Sequence, residues 1–224
     1  MPNEQDILNS INSNSIQNNQ PSGVGGDEKD NHSKKSEVLA FIWETVKIVT
    51  ISLAIIIPIR YYLVQPFFVK GASMEQNFHD GDYLLIDEIS YRFHEPRRGD
   101  VIVFRYPENP SQFYIKRIIG LPGETVEVKN NKVKIYNAEF KTGFVPKEYY
   151  LSDGQETFGN TSLQLKDDEY FVIGDNRLQS SDSRRWGPVA KKFITGRAFV
   201  RLWPITKIIK VEAVDYEDSL RLKD

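Results

Sequence analysis

The sequence predicts a mostly β domain carried behind one N-terminal membrane helix. Three observations predict it: an apolar stretch between residues 36 and 59, a series of short period-two segments from about residue 64 onward, and a composition suited to one core. The chain has 224 residues, 40% hydrophobic and 27% charged, which fits a single domain with appendages rather than two full-sized domains. Lys and Arg total 29 against 31 for Asp and Glu, so the net charge of -2 gives no electrostatic reason to expect a nucleic-acid partner. The absence of cysteine excludes disulfides, thiolate metal sites and a cysteine nucleophile. His32, His79 and His94 lack the clustered spacing of a metal site, so neither metal nor cofactor is expected.

In chain order, residues 1–36 carry seven Asn, many Ser and Gln, and the turn-rich run from Pro21 to Gly26. Too few large apolar side chains are present to offset the entropy of ordering, and a disordered tail is expected. Residues 37–63 form the expected transmembrane anchor. From Ser36 to Ile59 the composition inverts: residues 38–59 are apolar apart from Glu44 and Lys47, and at ~1.5 Å per residue the whole stretch reaches about 36 Å, enough for a hydrocarbon layer of ~30 Å. A cleaved leader is disfavoured, since the polar segment ahead of the apolar run is too long and no small-x-small site follows it. Lysines before the anchor slightly favour a cytoplasmic N-terminus and an extracytoplasmic domain. Tyr61, Tyr62, Phe67 and Phe68 then read as an interfacial aromatic belt.

From residue 64 to 224 the segments DYLLIDEI, DVIVFRY, FYIKRII, TVEV, KVKIY, YFVIG, AFVRLW and KIIKVEAV are β-branched or aromatic, with turn residues between them. In VEVKNNKVKIY, Asn130-Asn131 suits a two-residue hairpin turn, because asparagine tolerates positive φ. Residues 137–168 are more polar and read as an insertion or subdomain. The chemistry-bearing stretches are VKGASMEQNFHDGD, RRGDVIVF, YIKRIIGLPGE and FVIGDNRLQSSDSRRWG. Taken singly, Gly81, Gly99, Gly123 and Gly174 read as ordinary turn glycines.

In their order and spacing, these four segments resemble the conserved boxes of the type I signal peptidases, membrane-anchored Ser-Lys proteases. RLWPI resembles the family's closing segment. The resemblance runs from the anchor to Pro204 and implies a signal-peptidase-like β-fold. It implies Ser73 as nucleophile, Lys116 as general base, Ser180 as the hydroxyl that orients the lysine nitrogen, and Asp182 with Arg184 as a bracing ion pair. It further implies an extended substrate bound through Val69, Lys70, Gly71, Met74, Phe78, Tyr114 and Ile115. Pre-protein signal peptides of Ala-x-Ala type would be cleaved beside the lipid bilayer, with no metal and no nucleic acid involved.

Physical chemistry supports that division of roles. A serine hydroxyl needs a base to take its proton, and lysine serves only when neutral. At an ordinary pKa of ~10.4, roughly one lysine in 2,500 is neutral at pH 7, so burial in the apolar FYIKRII strand must lower the value by about three units. Arg117 then faces the opposite side of the strand as a structural residue, and Asp175, Asn176 and Arg177 read as turn and scaffold.

The chain departs from the resemblance after Ser73-Met74. Where x-Pro-Thr-Leu is usual, it has Glu75-Gln76-Asn77-Phe78, which predicts a looser nucleophile turn and a pocket reshaped by Phe78. Gly71 stands where some relatives place an oxyanion-binding serine, leaving the Ser73 N–H and a second, unidentified donor. Three rival readings are a Ser-His-Asp arrangement using His79 and Asp80, a self-cleaving repressor, and a non-catalytic membrane-anchored relative that assists assembly of exported proteins.

Overall fold

The computed structural model describes residues 27–62, 64–212, 214 and 216. Most of the expected tail, residues 1–26, lies outside them. Helix α1 (Asp27–Tyr62) begins ten residues before the expected anchor start, so residues 27–36 are helical rather than disordered. The sequence supplies a reason, since the helix opens Asp27-Glu28-Lys29-Asp30 and acidic residue types suit the positive end of the helix dipole. Within α1, Glu37–Pro58 is long and apolar enough to cross a membrane, and its side chains are exposed all round, Phe41 and Trp43 among them. Thr45 and Thr50 donate their hydroxyls to the carbonyls of Phe41 and Val46 at 2.9 and 2.7 Å. Such internal pairing satisfies these two hydroxyls within the helix, as an apolar surrounding would require.

The remaining unit is mostly β. Its main sheet takes strands β1 (Val64–Phe68), β2 (Tyr83–Asp87), β3 (Val101–Tyr106), β4 (Asn109–Gly120), β8 (Glu169–Ile173), β9 (Val189–Ala190), β10 (Ile194–Trp203) and β11 (Ile209–Lys210). Their order is β1-β2-β10-β3-β4-β8-β9 with β11 added to β10, and every pairing is antiparallel. A smaller sheet, β6-β5-β7, is built from β5 (Thr125–Lys129), β6 (Lys132–Tyr136) and β7 (Thr161–Gln164). Two one-turn helices, α2 (Ser90–Phe93) and α3 (Ser183–Trp186), cover strand ends. Asn130 and Asn131 join β5 to β6 at φ 52° and 62°, as the hairpin requires.

Alternation divides the core. In β3, Val101 and Val103 enter one cluster with Leu84, Ile86 and Ala198, while Ile102 and Phe104 enter another with Ile118, Tyr170 and Val172. A third cluster joins Ile119, Phe171 and Ile173 to Val126, Val128, Val133 and Ile135 of the small sheet. The polar stretch 137–168 contributes Phe144 and Leu165 to that cluster, and its strand β7 pairs with β5.

The main sheet curls until β1, its first strand, comes back toward β4. Phe67 and Phe113 meet there edge-to-face, with ring centroids 5.2 Å apart. Phe67 and Phe68, expected in the aromatic belt, lie in β1 opposite Leu84 and Tyr83 of β2, Phe67 half-buried and Phe68 exposed. Proline at position 66 suits an edge strand, because it has no N–H to give to a further neighbour. Among the described residues, β1 has no partner on its outer side, and β8 pairs with β4 only from Arg117 onward. Two unpaired strand edges therefore border one gap.

Candidate active site

The gap is a groove of about 680 Å³. One wall is Phe67 to Ser73, the other Gln112 to Lys116, with Leu84 and Val103 among its lining and Gln179 and Ser181 beside it. Of the residues expected to bind substrate, Val69, Lys70, Gly71, Tyr114 and Ile115 line it. Met74 and Phe78 do not, which corrects the expectation for both. The N–H of Phe78 donates to the Met74 carbonyl at 2.9 Å, a helix-like turn that puts the two side chains on one face. That face points inward, where Met74 and Phe78 are 0% and 4% exposed in the cluster beneath the groove. Burying a side chain of that size is worth ~1.5–3 kcal/mol, which favours the core over a wet wall.

Ser73 sits in this turn and Lys116 in β4, and the two meet across the groove: Lys116 Nζ donates to Ser73 Oγ at 2.7 Å and to the Ile115 carbonyl at 2.8 Å. Lys116 is only 3% exposed. Burial drives its pKa down from the ordinary lysine value to about 8, against the opposing charges of Asp182 and Asp175. The Tyr114 ring lies 5.4 Å from Nζ. The Ser73 N–H donates to no acceptor among the described residues and stays available to an oxyanion. The Gly71 N–H is taken by Asp80 Oδ1 at 2.7 Å. His79 is exposed, and the amine of Lys116 is what Ser73 Oγ meets.

The supporting residues divide. Asp182 and Arg184 form the expected pair, with both guanidinium contacts at 2.8 Å and the Asp182 side chain fully buried. Asp182 also accepts from the Gly174 N–H at 3.1 Å and caps α3 through the Arg184 N–H at 3.3 Å. Arg184 holds its carboxyl below the usual range despite burial. Ser180 departs from expectation. Its hydroxyl is buried and makes no hydrogen bond to Lys116; it faces Asp182, helping to keep that carboxylate ionised without reaching good hydrogen-bond geometry.

Gly174 was not expected in the site, whereas Asp175, Asn176 and Arg177 have the scaffold role expected of them. Gly174 is no ordinary turn glycine: a Cβ there would run into the Ser73 carbonyl and the Ser180 side chain, so the two segments meet over it because it has none. Asn176 holds the Ser73 turn from the same loop, its N–H donating to the Ser73 carbonyl at 3.1 Å and its Nδ2 to the Ala72 carbonyl at 3.0 Å. Asp175 is fully buried and paired bidentately with Arg117 at 2.9 and 2.7 Å, on the side of β4 opposite Lys116. Arg177 is buried against Glu148, Thr157 and the Tyr150 hydroxyl. The signal for all of these was the GDNR run itself, in which acid, amide and cation follow a strand with no stretch of loop to solvate them.

A hydroxyl beside a buried amine of lowered pKa, in a groove bordered by two open strand edges, is the equipment of a serine hydrolase that works on extended peptides. The family described as "Signal peptidase, peptidase S26" matches residues 42–203, and the chain belongs to it. The chain is 35% identical over 174 residues to a signal peptidase I of Leptolyngbya laminosa, covering 75% of this chain and 82% of that protein. It is 35% identical over 191 residues to a signal peptidase I of Bacillus amyloliquefaciens, covering 83% and 98%. A crystal structure of a signal peptidase I from Enterococcus faecalis V583 is 32% identical and covers 46% of this chain and 97% of its own, with a TM-score of 0.38.

Proposed function

We propose that Ser73 is the nucleophile and Lys116 the general base of this signal peptidase, a serine endopeptidase that removes N-terminal signal peptides from exported pre-proteins. The observation that carries the assignment is the 2.7 Å approach of a 3% exposed lysine amine to a groove-lining hydroxyl. With a pKa of about 8, roughly one amine in ten is neutral at pH 7. Once neutral, the amine keeps a hydrogen for the Ile115 carbonyl and turns its lone pair to Ser73 O–H. As Oγ attacks the scissile carbonyl, its proton passes to Nζ. The Ser73 N–H then meets the developing oxyanion. Collapse of the tetrahedral intermediate breaks the C–N bond, the ammonium of Lys116 protonates the departing amine, and an acyl-serine remains. Water attacks that ester, Lys116 again takes the proton, and Oγ leaves with it restored.

The substrate lies extended between β1 and β4, adding a strand to the two open edges. In an extended peptide, residues one and three before the scissile bond point to the same side, so a single apolar wall screens both. Small residues at these two places, the Ala-x-Ala pattern, are the preferred substrate. Helix α1 anchors the chain as a single pass, with the N-terminus cytoplasmic and the β unit outside.

The test is cleavage of a synthetic pre-protein by the full-length chain in detergent micelles. Ser73→Ala and Lys116→Ala are each expected to lower kcat by about 10⁴-fold or more. The wild-type rate is expected to rise with pH through a group near 8, and His79→Ala to keep that limb. Wild-type turnover in either dyad variant removes the assignment, and loss of the limb in His79→Ala transfers the base to histidine.

A further inference from the structure

The stretch Glu75-Gln76-Asn77-Phe78 replaces the usual proline and threonine beside the nucleophile, and the reaction as derived leaves it without a task. Gln76 lies at φ 88°, a conformation closed to proline and avoided by most L residues, so neighbouring contacts must hold it. Both ends of its carboxamide are engaged: Nε2 donates to Gln155 Oε1 at 2.9 Å, and Oε1 accepts from the Ser152 N–H at 3.1 Å. Gln155 in turn donates Nε2 to the backbone carbonyl of Asp175 at 3.0 Å. Asn77 gives one amide hydrogen to Asp175 Oδ2 at 2.8 Å and the other to the Tyr150 carbonyl at 3.0 Å. Both partners can only accept, so the orientation of the amide is dictated.

We propose that Gln76 and Asn77 form a carboxamide clasp that fastens the Ser73 turn to the buried Asp175–Arg117 pair and the 150–155 segment, with Asn77 a positioning residue for the dyad. The proposal rests on the Ser73–Lys116 reading. Rigidity that proline would supply covalently is supplied here by hydrogen bonds, and the expected looseness of the turn is not found.

Position and charge are coupled in this clasp. The charges that act on Lys116 are Asp182, countered by Arg184, and, from across β4, Asp175, countered by Arg117; the Tyr114 ring lies 5.4 Å from its nitrogen. Among the described residues, Asn77 is the remaining side-chain donor on Asp175, so it both fixes that carboxylate and draws its charge away from the amine. Without Asn77, Asp175 favours the ammonium form of Lys116 more strongly, and the neutral base is rarer at a given pH.

The experiment uses the same micelle assay on Asn77→Leu, Asn77→Asp and Asn77→Thr, with Ser73→Ala and Lys116→Ala as controls. Asn77→Leu is expected to lower kcat about tenfold with KM within about twofold, and to move the rising limb of the kcat profile upward by about half a pH unit or more. Asn77→Asp, with a second carboxylate against the first, moves the limb further up, and Asn77→Thr, which keeps one donor, recovers most of the turnover. An unmoved limb in Asn77→Asp overturns the proposal, as does a loss in Asn77→Leu that is equal at every pH and accompanied by a lower melting temperature. If Asn77→Leu does not fold, the Asn77→Asp limb decides alone. Active dyad variants instead sink the underlying reading; inactive ones with an unmoved limb sink only the clasp.

Discussion

Lys116 shows what a buried amine costs the fold that carries it. Its folded pKa of about 8 lies below the ordinary lysine value of 10.5, so folding is penalised while the amine is charged in both states. The penalty is fully present below about pH 8 and is relieved as pH rises toward 10.5. At ~1.36 kcal/mol per unit it amounts to about 3 kcal/mol, a sizeable share of a domain's net stability. Lys116→Met is therefore expected to be inactive yet more stable than wild type at pH 7, with the gap closing by about pH 10; denaturation followed by tryptophan fluorescence at the two pH values reads it. A variant less stable than wild type at pH 7 contradicts this. The pairing of Ser73 with Lys116 was legible in the sequence because GASM and YIKR keep their setting within a four-segment pattern. Met74 and Phe78 were not: which way a turn residue points depends on the Met74–Phe78 backbone bond, and residue type alone does not specify it. Ser180 was not legible for a similar reason, since where its hydroxyl points is set by the loop's path over Gly174.

Strands with strong alternation, such as β2, β5 and β6, and the continuous apolar run of β3 were readable from their segments, and so was the Asn130-Asn131 turn. Two strands were not. β1 (VQPFF) lies just after the anchor and reads equally well as interfacial aromatics, while β7 (TSLQ) is short, polar and without a buried face of its own. Both owe their form to a partner strand, β2 and β5, and tertiary pairing is invisible to local propensity. The loop after β8 is fitted closely to the Ser73 turn. Gly174→Ala is expected to cost ~1–3 kcal/mol in stability, because a methyl there must displace Ser73 or Ser180. Shifting a catalytic group by about 1 Å costs about 10²-fold in rate, so kcat should fall by that order with a smaller change in KM. Wild-type turnover in a folded Gly174→Ala protein contradicts the close approach.

On the scale of the whole chain, the apolar run was legible because membrane spans are written in length and composition, and the structure adds that the helix starts earlier, at Asp27. The proposed topology makes a specific expectation: in sealed vesicles of native orientation, protease added outside degrades the β unit and leaves a protected fragment containing residues 1–36. Protection of the β unit instead inverts the topology. Alkaline carbonate washing should leave the full chain in the pellet.

The gap between β1 and β4 bears on how one protein can accept many cargoes. Backbone amides and carbonyls are common to every polypeptide, so a groove walled by two open edges grips any chain that arrives straight and leaves discrimination to the few side chains nearest Ser73. By the same token, a rigid ladder-forming mimic with almost no side chains should occupy the gap well, closing the curled sheet into a ring.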